Sequence, residues 1–444
     1  MKRKRKALGF ILSVVLTGIL AAPVYGQVWT LQQCIDTAQI HSKNLQISKN
    51  NVALSVEKQK EAQSNLIPKV KFSGDYKYFF DQPTQLMPQS AFGGPEGVYK
   101  EVQFGTPHNF NLSLQAAVPL YNPQVYGAMK TTKAATELNK LKLKKTREAV
   151  YFNVSNLYYN AQILKHQLAF IDSNLVNTTR LLHTVTLLYQ QKLAKKTDVE
   201  KIKLQKEQLQ TRRKTVEDNL SQVLNLLKFT MGIPIQQPVD VSPDIAYQPD
   251  IQYPHNVVVD IQIANMRKDL LNTELKTLKH SRIPSLSLYG GYSEIGFGYD
   301  KKPNDFLKFY PTSLAGIQLT VPLFNGMVTK RKINQKKIEI KNTDLQKHLL
   351  TEQNNMEIEN AKRLREAALE TIRNTSSQIK LAQSVYAQTV LQQKQGMASL
   401  TDVLMADNAL QEAQQSYLAA IVNYLKADLT LKKLTGNIEQ LTKK

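Results

Sequence analysis

The chain has 444 residues, and its 58 Lys and Arg against 36 Asp and Glu give a formal net charge of +22. Its 18 Gly and 17 Pro fall below the usual share, which favours a helix-rich chain over a string of β-domains. The single cysteine, Cys34, excludes an internal disulfide framework, a Cys-based zinc site and an iron–sulfur cluster. The cationic surplus is compatible with nucleic acid or anionic lipid as a partner, and the remaining features of the chain must decide between them.

The N-terminal segment, residues 1–26, predicts a cleaved secretory signal peptide. Lys2–Lys6 is a run of five cations, Ala7–Leu20 is apolar, and small residues precede Gln27. An uncleaved membrane anchor is the alternative, although the apolar run is short for a spanning helix. Cleavage lowers the net charge by five, to +17, and export argues against nucleic acid as a partner.

The rest of the chain is predicted to be a duplicated unit, because motifs of its first half recur in the same order about 200 residues later. The recurring motifs are Ile67-Pro68 with Ile283-Pro284, Val118-Pro119-Leu120-Tyr121-Asn122 with Val321-Pro322-Leu323-Phe324-Asn325, and Thr197-Asp198-Val199 with Thr401-Asp402-Val403. They divide the chain into a first repeat (27–231), an equatorial linker (232–256), a second repeat (257–436) and a short C-terminal tail (437–444).

Each repeat is predicted to begin with a helix that is followed by two β-strands. A capping-box pattern at Thr30–Gln33 opens the first helix, which runs to about Leu66, and its counterpart lies near 257–282. The strands are predicted over 67–78, 108–120, 284–293 and 313–322. Apolar residues alternate in them with small polar residues, which is typical of transmembrane β-barrel strands. A half-buried soluble sheet shows the same alternation, but aromatic residues near the strand ends favour a membrane interface.

Each strand pair is followed by a proline-free stretch of about 70 residues, which predicts a helix of roughly 100 Å. The two long helices are predicted to run from Asn122 to about Gln190 and from Asn325 to about Gln395. Both asparagines stand where helix N-caps are expected, and Pro123 fits the first helical position of the first one.

Return helices of half that length are predicted from Asp198 to about Met231 and from Asp402 to about Thr435. Apolar residues recur in them at every seventh position, namely Ile202, Leu209, Val216 and Val223 in the first and Ala406, Ala413, Ala420 and Ala427 in the second. A seven-residue repeat buries a coiled-coil contact. The summed lengths predict that two short helices stack end to end beside each long helix.

The sequence shows no pattern of catalytic, cofactor-binding or metal-binding residues. Its seven histidines lack metal-ligand spacing, and neither a nucleophile elbow nor a phosphate-binding glycine loop occurs. We therefore expect a protein that is not an enzyme and that has no cofactor and no metal site.

The number of strands predicts an oligomer. Four strands cannot close a barrel, and an open sheet edge cannot persist in lipid because its N–H and C=O groups have no partners there. If the strands span a membrane, the chain must therefore oligomerise around a shared barrel, and three copies would give twelve strands.

Over nearly its whole mature length the chain resembles the TolC-like outer membrane efflux proteins. The resemblance rests on the duplication, on the Ile-Pro entry and Val-Pro-Leu-aromatic-Asn exit of the strands, and on the motif Gly396-x-x-x-Leu400-Thr401-Asp402-Val403-Leu404. It implies a fold that is mainly α with a transmembrane β part: a duplicated helix–strand–strand–helix–helix unit whose long coiled-coil helices form an α-barrel continuous with a trimeric twelve-stranded β-barrel.

The resemblance also implies a function and partners. The chain would be a channel in the outer membrane of a Gram-negative-type cell, extending into the periplasm as the exit duct of a tripartite efflux pump or a type I secretion system. The implied partners are two further copies of the chain, a periplasmic adaptor protein, an inner membrane pump and outer membrane lipid.

The resemblance further implies a gate where each long helix turns into its return helix. Asp402 matches an inward-pointing aspartate of the family's pore constriction, and Asp198 matches a residue that helps to hold neighbouring helices closed. Contacts with the adaptor are implied for residues of the two turns, namely Tyr189, Lys192, Thr197, Gly396, Leu400, Thr401 and Val403. The structural alternative for both aspartates is a carboxylate that is stabilised by the dipole at a helix N-terminus.

Two functions from different classes remain open at this point. One is the exit duct, which requires the four strands to insert into a membrane. The other is a periplasmic coiled-coil structural or adaptor protein without a pore, anchored by an uncleaved N-terminus, whose sheets would be soluble.

Overall fold

The computed structural model describes residues 28–245, 251–299 and 307–438. The predicted signal peptide lies outside these ranges, as do residues 246–250 of the predicted linker and residues 439–444 of the predicted tail. None of the described helices contains a stretch that is both long and apolar enough to cross a membrane.

The helices and strands follow one another in the order of the two repeats. In the first repeat they are β1 (Val28–Trp29), α1 (Leu31–His41), α2 (Lys43–Ser64), β2 (Lys69–Tyr78), β3 (Thr84–Pro88), β4 (Tyr99–Gln103), β5 (His108–Tyr121), α3 (Pro123–Gln190) and α4 (Lys196–Met231). The linker contributes β6 (Asp240–Val241), and the second repeat contributes α5 (Val259–His280), β7 (Ser285–Gly298), β8 (Lys308–Thr320), α6 (Val328–Lys394) and α7 (Leu400–Leu434).

The chain divides into two compact units that cut across the sequence repeats. The first unit takes its described residues from the ranges 1–50, 141–263 and 348–444, and the second from 51–140 and 264–347. Each unit therefore contains segments of both repeats. The first unit holds the return helices and the adjoining parts of the long helices, and the second holds the sheets of β2 to β5, β7 and β8.

In the second unit, β2, β5, β7 and β8 form one antiparallel sheet in that order. The central strands β5 and β7 come from different repeats, so the sheet joins the two repeats. Among the described residues, the edge strands β2 and β8 each pair on one side only. The ladder between β7 and β8 reaches the pair Phe297 and Lys308, which extends β7 beyond the predicted residue 293 and starts β8 before the predicted residue 313.

Residues 81–107, a segment rich in Pro and Gly between two predicted strands, contain a second small sheet. β3 and β4 form an antiparallel hairpin in which Thr84 pairs with Gln103 and Pro88 with Tyr99. A 3₁₀ turn, Gln89–Phe92, ends at Gly93, whose φ of 78° is left-handed. The sequence reasoning missed this hairpin, because strands of five residues carry little periodic signal.

The first predicted helix is two helices, because the chain bends at Ser42 (φ −57°, ψ 123°). Its start is as predicted: Gln33 N donates to Thr30 Oγ1 at 3.2 Å, and Thr30 N donates to Gln33 Oε1 at 2.9 Å. At the bend, Gln46 Nε2 donates to the carbonyl of Ile40 at 3.4 Å. In a continuous helix, a backbone N–H would donate to this carbonyl at the end of α1. Here the side chain of Gln46 donates in its place.

The two long helices have 68 and 67 residues, in agreement with the predicted length. Asn122 caps the first one, since its Oδ1 accepts from Gln124 N at 3.0 Å and from Val125 N at 3.3 Å. The equivalent prediction for Asn325 is wrong: α6 begins at Val328, and Asn325 Nδ2 donates instead to the side chain of Thr329 at 2.5 Å. Two residues with positive φ, Gly326 and Met327, separate Asn325 from the helix.

The predicted heptad positions lie in the core of the first unit. The return helices begin at Lys196 and Leu400, two residues before the predicted starts. In α4, Ile202, Leu209 and Val216 are buried and Val223 is half-buried, and in α7 all four alanines of the stripe are buried, Ala406, Ala413, Ala420 and Ala427. The alanine stripe allows α7 to pack at short interhelical distance.

The described part of the linker is held against the first unit. β6 pairs in parallel with β1. From α3, Gln162 Nε2 donates to the carbonyls of Ser242 and Asp244 at 2.9 and 2.7 Å, and Lys165 Nζ lies 2.7 Å from Asp240 Oδ1. These contacts hold the linker, in which the chain passes from the first repeat to the second, against the middle of α3.

Candidate functional site

The turns that join the long helices to the return helices have the same backbone conformation in both repeats. Lys192 and Gly396 occupy equivalent left-handed positions, with φ of 65° and 76°. The next residues, Leu193 and Met397, each donate their N–H to the carbonyl five residues earlier, at 2.8 and 2.9 Å. Because left-handed backbone favours glycine, Lys192 carries a conformational cost that Gly396 avoids.

Asp198 and Asp402 lie in the first turns of α4 and α7, and both carboxylates accept hydrogen bonds from the residue that precedes the helix. Lys195 N donates to Asp198 Oδ2 at 3.1 Å. Ser399 N and Ser399 Oγ donate to Asp402 Oδ2 at 2.8 and 2.7 Å. The hydrogen bonds from Ser399 lower the pKa of Asp402. Both aspartates therefore act as helix caps, and the exposed Asp402 carries a firmly ionised carboxylate.

An apolar cluster lies directly behind the two turns. It contains Leu181 and Val185 of α3, Ile202 of α4 and Val403 of α7, all buried, with Tyr386 of α6 packed against them. Val403 is 0% exposed, so the prediction that it contacts an adaptor is wrong for the side chain, which fills the core between the helices.

The other predicted contact residues remain accessible. Tyr189, Lys192, Thr197, Gly396 and Thr401 are exposed, and Leu400 is half-buried. The structure thus brings the two groups of turn residues onto one end of the first unit, where the cluster around Ile202 and Val403 joins α4 and α7.

Two exposed apolar residues at the turns were missed by the sequence reasoning. Leu193 is 72% exposed and Met397 is 70% exposed. They are equivalent in the two repeats, and each follows the left-handed residue of its turn. A matching pair of apolar residues within a polar turn was the signal that could have revealed them.

Asp407 of α7 is a buried acid that the sequence reasoning also missed. The residue is 2% exposed, and its Oδ2 accepts from Gln411 Nε2 at 2.7 Å and from Gln205 Nε2 of α4. Its Oδ1 has no hydrogen-bond partner among the described residues. Burial raises the pKa of Asp407, although the two glutamines oppose that shift. The available signal was that Asp407 directly follows Ala406, a residue of the predicted buried stripe.

The four-stranded sheet presents one apolar face and one polar face, as the strand register shows. The apolar face includes Val70, Phe72, Leu112, Leu114, Leu288, Ile317 and Leu319. The other face includes Ser73, Asn111, Ser113, Gln115, Ser287, Ser293, Gln318 and Thr320, although Ile295 and Leu314 also lie on it. The apolar face is uncovered within the chain, where Phe72 and Ile317 are 69% and 65% exposed.

Aromatic side chains gather on the apolar face toward one end of the sheet. The ring centroid of Tyr76 lies 4.5 Å from that of Phe110, which lies 6.3 Å from that of Phe309. Tyr76 Oη is 2.8 Å from His108 Nδ1. Aromatic rings with polar tips at the end of an apolar band are typical of a membrane–water interface.

Comparisons with known proteins agree with these features. The family model described as outer membrane efflux protein matches residues 259–437. The outer membrane protein TolC of Escherichia coli (strain K12) is 19% identical over 98% of this chain and 87% of its own length.

Two solved structures share the fold. VceC, an outer membrane protein of Vibrio cholerae, superposes with a TM-score of 0.71 at 15% identity and covers 91% of this chain and 96% of its own. The CmeC outer membrane channel of Campylobacter jejuni superposes with a TM-score of 0.74 at 15% identity and covers 92% of this chain and 85% of its own. The second repeat thus matches the outer membrane efflux protein family, and the whole chain is similar to TolC in sequence and to outer membrane channels in fold.

Proposed function

We propose that three copies of the chain assemble into a duct through the outer membrane. Their twelve strands form one β-barrel, which continues into an α-barrel of the long and return helices in the periplasm. A periplasmic adaptor and an inner membrane pump deliver substrate to the duct, as in a tripartite efflux pump or a type I secretion system.

The observation that carries this proposal is the sheet with two edges. β2 and β8 each pair on one side only among the described residues, and the sheet exposes a continuous apolar face. Lipid can cover that face, but it cannot satisfy the backbone groups of the edge strands. Pairing β2 of one copy with β8 of the next satisfies both edges and closes the barrel.

The dimensions of the sheet fit this arrangement. Its strands have 10 to 14 residues, and a tilted strand needs about 9–11 residues to cross the hydrocarbon core. The aromatic cluster around Tyr76, Phe110 and Phe309 would lie at one membrane interface, with outer membrane lipid against the rest of the apolar face.

The turns between the long helices and the return helices would form the gate. Three copies of Asp402 would place an acidic ring at the periplasmic entrance, with Asp198 near the contacts between neighbouring helices. The support is that Asp402 is exposed, that its pKa is lowered, and that its cap position fixes the carboxylate. A ring of ionised carboxylates attracts cations to a narrow entrance.

The same turns would receive the adaptor. The exposed residues Tyr189, Lys192, Thr197, Gly396 and Thr401, together with the half-buried Leu400, offer a polar rim. Leu193 and Met397 supply an apolar contact within it. An apolar centre inside a polar rim is the usual arrangement of a protein–protein interface.

No observation favours the alternative of an anchored coiled coil without a pore. In that case the apolar face of the sheet, including Phe72 and Ile317, would have to remain in water in an otherwise folded periplasmic protein. Exposed apolar areas of that kind lead to association or aggregation.

A pair of neighbouring substitutions tests the proposal. Ile317→Arg would place a charge on the lipid-facing side of β8, at a depth-dependent cost of up to about 2–4 kcal/mol, and we expect it to abolish heat-modifiable trimers in outer membrane fractions. The matched control, Gln318→Arg, places the same side chain on the opposite face of the same strand and should assemble normally. Equal assembly of both variants, or trimers found only in the soluble fraction, would contradict the duct.

A further inference from the structure

The lysines of the four-stranded sheet all lie on its polar face. The strand register places Lys77 of β2 in one row with Asn109, Phe297 and Lys308 of β8. Lys69 and Lys71 alternate with the apolar Val70 and Phe72 and so share the face of Lys77. The edge strand β2 therefore projects three lysines on one side, and none of the described strands carries a lysine on the apolar side of this sheet.

Few acidic groups offset the three lysines of β2. Among the described residues of the four-stranded sheet, Asp75 is the one acidic residue on the polar face. Its Oδ2 lies 3.3 Å from Lys77 Nζ. Glu294 of β7 pairs with Leu112 and Pro311, so it lies on the apolar face, where its carboxylate accepts from Tyr292 Oη. Three lysines against one aspartate leave β2 with two surplus positive charges per chain on the polar face.

The lysines of β2 are accessible to solvent and solutes. Every residue of β2 is exposed, and the side chain of Lys77 is 66% exposed although it contacts Asp75. Lys69 Nζ donates to the neutral Asn65 Oδ1 at 2.9 Å, which leaves its charge uncompensated by that contact. The strand thus carries net charge and not a set of internally balanced ion pairs.

We propose that this face makes the lumen of the β-barrel selective for anions, so that the duct passes anionic solutes in preference to cations. The inference rests on the proposed trimer, in which the polar face lines the lumen. Three copies of β2 would then bring about six surplus positive charges into a lumen with low-dielectric walls, which focus the electric field and raise the local concentration of anions. The class of substrate that this lumen favours is a solute with carboxylate, phosphate or sulfate groups.

The barrel lumen and the periplasmic entrance would have charges of opposite sign. The proposed ring of Asp402 favours cations at the tips of the helices, whereas the lysines act in the sheet. The two contributions can be separated, because Asp402→Asn removes the first and leaves the second unchanged. The anion preference should therefore be clearer in that variant than in the unmodified chain.

The test is the reversal potential of single channels in planar bilayers under a KCl gradient. In the Asp402→Asn channel we expect anion selectivity, and the triple substitution of Lys69, Lys71 and Lys77 by Gln should shift the reversal potential toward the cation side. Asp75→Asn should shift it in the opposite direction, which controls for a general effect of substitutions in β2. Lys206→Gln, on α4, serves as a control outside the sheet.

A second readout uses inorganic triphosphate as a probe of the lumen. Triphosphate added to the compartment into which the β-barrel opens should reduce the single-channel current of the unmodified chain. The lysine-to-glutamine triple variant should require an at least several-fold higher triphosphate concentration for the same block. Channels whose reversal potential and block are unaffected by the three lysine substitutions would overturn the anion selectivity while leaving the duct intact. Absence of any channel from the unmodified chain would remove both the duct and the selectivity.

Discussion

Gly232, the residue that ends α4, packs directly against the carbonyl of His41 at the end of α1. A Cβ atom built on Gly232 would lie 2.2 Å from His41 O, and the residue has a left-handed φ of 78°. The second repeat repeats this junction: Gly436, with φ of 69°, would place a Cβ 3.1 Å from Asn256 Cβ, just before α5. The end of each return helix thus meets the residues just before the helix that leads to the strands of the same repeat, α2 in the first and α5 in the second.

The contact between Gly232 and His41 predicts a large loss of stability for Gly232→Ala. The left-handed φ alone costs about 1 kcal/mol for alanine, and the clash with backbone atoms of His41 should add roughly 1–3 kcal/mol. The matched control is Gly396→Ala, since Gly396 has nearly the same φ, 76°, but a Cβ added there would meet no atom within 4 Å. Thermal unfolding of the two variants measures the difference, and equal losses would show that the backbone around His41 can move away.

The turn at Lys192 predicts a stabilising substitution. Lys192 has a φ of 65° where the second repeat has Gly396, so Lys192→Gly relieves a left-handed lysine and should raise stability by about 0.5–1 kcal/mol. The reciprocal substitution, Gly396→Lys, should lower stability by a similar amount, because open space surrounds that position. Thermal unfolding in the same detergent checks both. A destabilised Lys192→Gly variant would show that the lysine side chain makes a contact that outweighs the backbone cost.

The buried Asp407 predicts a pH-dependent stability. Because burial raises its pKa above the value of the unfolded chain, about 3.9, the protonated form is favoured in the folded state. The contribution is fully present below about pH 3.9 and is lost as the pH rises through the raised folded pKa. Asp407→Asn keeps an oxygen that can accept from the glutamines, so it should be more stable than the unmodified chain at pH 7.

The measurement is the difference in unfolding temperature between Asp407→Asn and the unmodified chain from about pH 4 to about pH 8, a range that begins near the unfolded pKa. We expect the difference to be small at the acid end and to grow with pH. Asp402 provides the opposite case: its pKa is lowered by Ser399, so its contribution is present above the unfolded pKa and is lost as the pH falls. A constant difference across the range would show that Asp407 stays ionised in the fold.

The proposed gate predicts that charge and capping at Asp402 can be separated. Asp402→Asn retains an oxygen that can accept from Ser399 N and Oγ, so helix capping should persist while the charge is lost. We expect normal trimers whose single channels are shifted further toward anion selectivity. Asp198→Asn, which makes the same change in the other turn, should have a smaller effect on selectivity because Asp198 is less exposed than Asp402. Unchanged conductance and selectivity in Asp402→Asn would remove this residue from the pore.

Features set by near neighbours were predictable from the sequence. Alternation along β2 and β5, the capping box at Thr30, the cap at Asn122 and the heptads of α4 and α7 each depend on residues within one or two turns of each other, and the structure shows them. Asn325 marks the limit of such reasoning. It has the same local motif as Asn122, but the left-handed Gly326 and Met327 move the helix start away from it.

The sequence by itself determined the duplicated order of helices and strands and the two faces of the sheet, since both follow from local periodicity. Only the tertiary structure decided which residues are buried at the turns, where Val403 and Asp407 lose contact with solvent through helices some 200 residues apart in sequence. It also decided that β5 pairs with β7, which leaves β2 and β8 at the edges. Burial and strand order depend on contacts between distant segments, and no local pattern encodes them.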